Sequence, residues 1–253
     1  MSFVGGRPFA RSIVVGASSG IGEAIAVELG RSGARVALVA RREDELARVA
    51  QAIAAAGGSA SVHPHDVTDY DSAPALFREI LAELGGLDLL VYASGVMPDV
   101  QESEYSFAKD RAMIEVNLLG AMAWLDLGAA VCEAARGGTL LGISSVAGER
   151  GRRGNPGYGT SKAAFSAYLE ALRNRLTRYG VNVVTVKPGF VDTAMTRGRQ
   201  GLFWLITAEQ AARQSLALAR RGRSSSGFVP KRWALVAFVV RNLPSFVFRR
   251  LNF

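Results

Sequence analysis

Tyr158 and Lys162 stand at i and i+4 in Gly157-Tyr158-Gly159-Thr160-Ser161-Lys162, a spacing that puts both side chains on one face of a helix. An ammonium there lowers the pKa of a phenol from about 10, and a phenol so tuned can give or take a proton near neutral pH. Ser145 lies thirteen residues before the tyrosine, at the end of an apolar run. In an open parallel sheet that is where loops face a ligand crevice. Far upstream, Gly16-Ala17-Ser18-Ser19-Gly20-Ile21-Gly22 follows directly on another apolar run and opens a helix-period segment. Glycines in that place allow a tight turn and a close approach to a pyrophosphate, whose charge meets the free N–H groups of the helix start. The spacing is GxxxGxG rather than the GxGxxG dinucleotide fingerprint. The next apolar run ends in Val39-Ala40-Arg41-Arg42, without the carboxylate that NAD-binding chains place there for the ribose 2′-hydroxyl. An arginine pair can grip a 2′-phosphate through charge-assisted hydrogen bonds, which points to NADP(H). The competing reading is two solvated arginines at the start of a surface helix.

These residues need elements that hold them. Short β-rich runs at 13–15, 36–40, 60–63, 87–92, 140–143 and 181–187 alternate with helix-period segments at 21–29, 43–56, 71–84, about 107–135 and 158–179. That alternation predicts an α/β fold: a single doubly wound Rossmann-type domain with a central parallel sheet flanked by helices. Glu43-Asp44-Glu45 suits a helix N-terminus, Gly33, Gly57 and Gly180 suit helix ends, and Thr207 with Gln210 matches a capping box opening a helix to about 220. No repeat or long linker is evident, so one domain is expected over 1–230, followed by a basic, apolar tail over 231–253.

The composition excludes a disordered, collagen-like or low-complexity chain: 253 residues are 49% hydrophobic and 21% charged. A lone cysteine, Cys132, cannot make an internal disulfide, and the cytoplasm is the expected compartment. No run of 18 uncharged apolar residues occurs and the first ten residues lack a secretory stretch, which predicts a protein neither exported nor membrane-spanning. The net charge of +8 is unevenly placed, with nine Lys or Arg and no carboxylate between 210 and 253. Such a tail can meet nucleic-acid phosphates, lipid headgroups or an acidic partner, and the absence of an RNA-binding motif speaks against nucleic acid. Its apolar runs, 233–240 and 243–248, are bounded by Lys231-Arg232, Arg241 and Arg249-Arg250, and both are too short to span a bilayer, with Pro244 breaking any helix through both. Either they lie peripherally on the inner face of a membrane or they dock on a second subunit. His63 and His65 read as loop or cofactor-rim residues, and Met122 and Trp124 as core or subunit contacts.

With these residues assembled, the sequence resembles the short-chain dehydrogenase/reductase family over nearly its whole length. Gly16, Gly20 and Gly22 match the cofactor glycines, with Ser18, Ser19 and Ile21 between them, and Asp66-Val67 matches the pair that contacts adenine. Asn117, in Glu115-Val116-Asn117-Leu118, fits the catalytic asparagine of a water-linked proton relay, and Ser145, Tyr158 and Lys162 fit the other catalytic positions. Pro188-Gly189-Phe190-Val191-Asp192-Thr193 is similar to the family's PGxVxT segment, with Thr193 near the nicotinamide amide. One departure is visible: Tyr92-Ala93-Ser94-Gly95 stands where the family has NNAG, keeping the glycine but losing the asparagine hydrogen bonds, with an expected cost in local stability or cofactor affinity. The resemblance implies reduction of a ketone by NADPH, with Tyr158 protonating the oxygen, Ser145 hydrogen-bonding it and Lys162 tuning the phenol and holding the ribose. It also implies a homodimer or homotetramer built on the long helices. Residues 147–153 and the ending from Val229-Pro230 to Phe248-Arg249-Arg250-Leu251 are similar to the reductases that finish the epimerisation of decaprenylphosphoryl ribose, whose substrate is a 2-keto sugar on a polyprenyl phosphate. That suggests a small-molecule or lipid-linked ketone, with Arg150, Arg152 and Arg153 either binding a substrate phosphate or forming a solvated loop. Segment 201–206 falls where the family places its substrate lid, and its apolar character suits an apolar substrate. The alternative to a reductase is a catalytically silent dinucleotide-binding sensor or scaffold, against which the intact catalytic set argues.

Overall fold

Strands whose residues are apolar on both faces must be covered on both faces, and four of them form the middle of the sheet. In the computed structural model, which describes residues 9–250, these are β1 (Arg11–Val15), β4 (Leu89–Tyr92), β5 (Thr139–Ile143) and β6 (Asn182–Pro188), buried along almost their entire lengths. The opening residues 1–8, and 251–253 with Leu251 at the end of the tail, lie outside the described residues. β2 (Arg35–Ala40) and β3 (Ser59–Pro64) extend the sheet on one side and β9 (Ser225–Val229) on the other, in the order β3-β2-β1-β4-β5-β6-β9, every neighbouring pair parallel. Helices α1 (Gly20–Arg31), α2 (Glu43–Ala55) and α7 (Ala208–Ala219) cover one face, where Ile25, Leu29, Leu46 and Leu216 pack on Val14 and Leu38. α3 (Ala73–Leu84), α5 (Gly120–Ala134) and α6 (Pro156–Leu176) cover the other, where Phe77, Trp124 and Phe165 pack on Ile13, Leu90 and Leu140. The expected doubly wound sheet is therefore present.

Two features differ from the sequence expectation. The sheet has seven strands, not six: β9 is the short edge segment Ser225-Ser226-Gly227-Phe228-Val229, too polar to read as a core strand. A separate ribbon pairs β7 (Val191–Asp192) with β8 (Ile206–Thr207), tying the segment after Pro188-Gly189 to the base of the 201–206 loop. Segment 107–135 is one long helix interrupted by a π-turn, with α4 (Phe107–Ile114), the π-turn Glu115–Leu119 and then α5. By length and composition this 28-residue helix could cross a membrane, with a mean hydropathy of 1.4 in its most apolar window. Its inner face is nevertheless core: Met113, Ala121, Trp124, Leu125 and Cys132 are buried, and Gly128 lies so close to Leu90 that a Cβ would collide. Burial also pushes the Cys132 thiol up to about 12, the behaviour of an inert packing residue.

After Pro230 the chain folds back onto the body as α8 (Trp233–Asn242) and α9 (Ser245–Phe248), with Pro244 between them. A ten-residue helix is not stable alone, so its packing has to hold it. Trp233 and Ala237, one turn apart, are buried, while Leu235, Phe238 and Val239 face outward. Arg241 pairs with the buried Glu149, which also takes Lys187 Nζ at 2.7 Å. Arg150 caps the end of α8, its Nη1 donating to the carbonyls of Val240 at 2.6 Å and Leu243 at 2.5 Å, with its guanidinium 4.1 Å over the Phe248 ring. Arg153 donates to the Arg249 carbonyl at 2.8 Å. Two of the three arginines before Tyr158 thus serve the tail rather than a ligand or bulk water.

Candidate active site

The strand order reverses between β1 and β4, and a crevice opens where the loops after these strands diverge. Gly16 turns the chain at the end of β1 with φ +88°, its N–H bonded to the Val39 carbonyl at 2.8 Å. A Cβ at Gly16 would overlap the backbone of Ser94, and one at Gly22 would run into the Gly16 carbonyl, so the turn is closed against both β4 and α1. Gly20 faces the far wall, where a Cβ would lie 3.2 Å from Thr193 Cγ2. Ser19, at the N-cap of α1, makes no side-chain cap, leaving the first-turn N–H groups free of one.

The resulting cleft has a volume of about 800 Å³ and runs along the carboxyl ends of the strands. Arg41, Arg42, Asp66 and Val67 line one end, and Ser18, Ser19, Ile21, Ser94 and Gly95 the middle. Ser145, Tyr158 and Lys162 form one wall of the other end, opposite Pro188, Gly189, Val191 and Thr193. Of the residues expected to bind cofactor or to act in catalysis, Gly22 and Asn117 stand behind the lining, and Arg150, Arg153 and His63 lie outside it as well. Arg42 lies across the glycine turn, its Nη2 donating to Ser19 Oγ at 2.9 Å and Ser18 Oγ at 3.0 Å. Arg41 Nη1 is 3.7 Å from Asp66. Against the upward push of burial, the N–H and hydroxyl of Thr68, with Arg41, hold the Asp66 carboxyl below its usual range.

Tyr158 sits in the first turn of α6 because of what precedes it. Asn155 at the N-cap accepts the Tyr158 N–H on Oδ1 at 3.1 Å, and Pro156 at N1 has the helical φ already set. The buried Tyr158 phenol shares one wall of the cleft with Ser145, whose Oγ accepts the Ala147 N–H at 3.0 Å. Burial pushes the phenol pKa up, while Ser145 and the charges of Arg152 and Arg199 pull it back. Lys162 Nζ donates to the Ile143 carbonyl at 3.0 Å and lies 5.9 Å from the centre of the Tyr158 ring. Burial lowers its ammonium pKa to about 8. Asn117, in the π-turn, accepts the Val96 N–H at 2.7 Å and donates to the Val96 carbonyl and to Ser161 Oγ, both at 3.0 Å. It holds the strand-end loop beside Gly95, where a Cβ would lie 3.4 Å from both Asn117 Oδ1 and Lys162 Nζ.

The mouth beyond Tyr158 combines aromatic surface with positive charge, of which Arg199 was not singled out from sequence. Phe190, Phe203 and Trp233 line it, with Phe203 stacked on Trp233 at 5.0 Å and Phe190 edge-on to both. The 201–206 segment is thus bound to the first residue of α8. Arg152 and Arg199 line the same end. No local spacing marks Arg199 or Trp233, since each reaches the cleft through tertiary packing alone.

A family model described as short chain dehydrogenase matches residues 11–201. Relatives include an uncharacterized oxidoreductase of Myxococcus xanthus, 37% identical over 185 residues that make up 73% of either chain. Another, from Staphylococcus epidermidis, is 34% identical over 187 residues, covering 74% of this chain and 80% of that one. Similar solved structures include an alcohol dehydrogenase of the archaeon Thermococcus sibiricus complexed with 5-hydroxy-NADP, with TM-score 0.78, 27% identity and 86% and 94% of the two chains covered. A short-chain type dehydrogenase/reductase from Mycobacterium marinum aligns with TM-score 0.80 at 26% identity, over 87% and 93% of the two chains. The protein belongs to the short-chain dehydrogenase/reductase family. It is an oxidoreductase of the class that uses NAD(P), and the cleft fits such a dinucleotide: side-chain-free surface at Gly16 and Gly20, a helix start without a side-chain cap, and a volume typical of cofactor sites.

At the departure from NNAG, a tyrosine makes a hydrogen bond of its own. The buried Tyr92 hydroxyl donates to the Val116 carbonyl of the π-turn at 2.6 Å, in space left by Gly120, while its ring packs edge-on against Phe165. Tyr92→Phe keeps the ring and strands that carbonyl, at a cost of about 1 to 2 kcal/mol. Thermal unfolding should show Tm lowered by roughly 2 to 8 °C; an unchanged Tm would mean the bond contributes nothing.

Proposed function

We propose that the protein is an NADPH-dependent reductase that converts a ketone on an apolar or lipid-linked small molecule to a secondary alcohol. The observation that carries this reading is the shared wall of Ser145, Tyr158 and Lys162 at one end of a cleft whose other end presents Arg41 and Arg42 and no carboxylate at the end of β2. When bound, NADPH supplies the hydride. Gly16, Ser18, Ser19, Gly20 and Ile21 hold its pyrophosphate with backbone and hydroxyl groups, and Gly22 lets α1 close on the turn. Asp66 and Val67 receive the adenine, and Ser94 and Gly95 form the floor. Pro188, Gly189, Val191 and Thr193 hold the nicotinamide end. Arg42, already bonded to the two serine hydroxyls, and Arg41 take the 2′-phosphate. The NADP analogue bound by the Thermococcus sibiricus enzyme supports this choice.

Tyr158 gives the proton from its hydroxyl to the carbonyl oxygen. Ser145 already spends one lone pair on the Ala147 N–H, which orients its hydroxyl toward that oxygen. Lys162 holds the ribose and, when charged, favours the phenolate after transfer. Asn117 positions the loop at Val96 and anchors the proton relay. Residues 1–230 make up this cofactor-binding domain and 231–253 the tail.

The tail brings the enzyme to the inner face of an anionic membrane. Exposed Leu235, Phe238, Val239 and Phe246 lie on the segment flanked by Lys231, Arg232, Arg249 and Arg250, and Phe203, Trp204 and Leu205 are exposed at the lid. Apolar side chains enter the interface while the cations meet headgroups. The long helices α4 to α6 pair two or four copies, and nucleic acid plays no part.

Three measurements test the reading. Fluorescence titration should give NADPH a dissociation constant about 10- to 150-fold below that of NADH, the worth of charge-assisted contacts, and equal constants would sink the cofactor assignment. Tyr158→Phe should still bind NADPH while ketone turnover falls by about 10² to 10⁴-fold; near-normal turnover would mean that another group is the acid. The whole protein should float with anionic liposomes and not with neutral ones, and a chain stopped after Val229 should lose that binding. An intact protein that never floats contradicts the membrane role.

A further inference from the structure

Arg150 and Arg153 are turned to the carbonyls of the tail, but Arg152 between them turns the other way, half-buried in the cleft beside Tyr158. Arg199, six residues beyond Thr193, reaches the same end from the other wall. Both guanidinium groups line the cleft with the Tyr158 phenol, and their charges pull its pKa down against burial. Among the described residues neither guanidinium has an ion pair or a side-chain hydrogen bond. Arg11, Arg48 and Arg241 are instead paired, with Asp88, Glu23 and Glu149. The cleft's two carboxylates do not answer them either, since Asp66 is held by Arg41 and Thr68 at the far end and Asp99 accepts from Gln101 at the rim. Arg152, half-buried, and Arg199, exposed at the same end, lack a counter-ion, and planar guanidinium forks match the oxygens of a carboxylate or phosphate.

We infer that the substrate carries an anionic group, a phosphate or a carboxylate, a few bonds from its ketone, held between Arg152 and Arg199. The inference rests on the ketone-reductase reading and narrows it. The carbonyl meets Tyr158 and Ser145, the anion meets the two arginines, and the apolar remainder lies on Phe190, Phe203 and Trp233. The cofactor's own phosphates have a different place, at the start of α1 and at Arg41 and Arg42.

Three aryl ketones of similar size provide the test: 4-acetylphenyl phosphate, 4-acetylbenzoate and neutral 4-methoxyacetophenone, each assayed with NADPH and the full chain. At least one anionic ketone should exceed the neutral one in kcat/KM by about tenfold or more, and the better of the two identifies the anion. That ratio should fall by about 10- to 100-fold in Arg152→Gln and in Arg199→Gln, mainly through KM, with partial recovery in Arg152→Lys. Calorimetric titration of 4-acetylphenyl phosphate and 4-acetylbenzoate into the enzyme with NADP⁺ should show the same loss without turnover. A wild-type ratio near one, or a ratio that neither substitution moves, overturns the inference. So does a loss of NADPH affinity equal to the loss for the anionic ketone, because the arginines would then serve the cofactor. If no ketone consumes NADPH yet an anionic ketone binds and the neutral one does not, the anion site stands and the reductase reading falls.

Discussion

Two backbones in contact, Gly16 against Ser94, set the geometry on which the rest of the site depends. They meet where the winding of the sheet reverses, and no side chain fits between them. Because Gly16 takes φ +88° and Gly22 lets α1 lie on the Gly16 carbonyl, the helix start points into the crevice rather than past it. The same closeness brings Gly95 to the ends of Asn117 and Lys162, so the two halves of the cleft share one floor. A methyl group at Gly16 would pry β1 from β4 and separate the turn from the wall of Ser145, Tyr158 and Lys162 at once.

The second constraint is electrostatic and joins the tail to the site. Glu149 is buried between Lys187, one residue before Pro188, and Arg241 of α8. Breaking such a cluster by removing one partner costs roughly 3 to 5 kcal/mol, because the remaining charge stays buried. Together with Trp233, which packs against Gly189, and Arg150 at the carbonyl end of α8, it makes the tail a wall of the cleft.

Much of the site was legible because its chemistry is encoded at short range. The glycine turn, Arg41-Arg42, Tyr158 with Lys162, and the Thr207–Gln210 capping box all depend on spacings within one element, and all lie where that spacing implies. The helix interrupted at Asn117 was legible only as a helix: the π-turn, whose Val116 carbonyl accepts the Tyr92 hydroxyl from β4, leaves no mark in the local spacing. Reading Tyr92 as the loss of an asparagine hid the hydrogen bond it makes. β9 was missed because an edge strand half open to solvent does not need an apolar run. Arg199 was not marked at all and Trp233 only as the start of an apolar tail run, since each is brought to the mouth by contacts between segments far apart in sequence. The arginines before Tyr158 read alike in sequence, yet Arg150 and Arg153 hold the tail while Arg152 lines the cleft.

Hydrogen–deuterium exchange of the full chain with and without NADPH tests most directly whether these separated segments form one cofactor-binding cleft. The account predicts slowed exchange on NADPH binding at 16–22, 41–42, 93–96 and 188–196 together, with 157–162 joining them, and weaker protection with NADH at equal concentration. Protection confined to one of these segments, or none with NADPH, would contradict it.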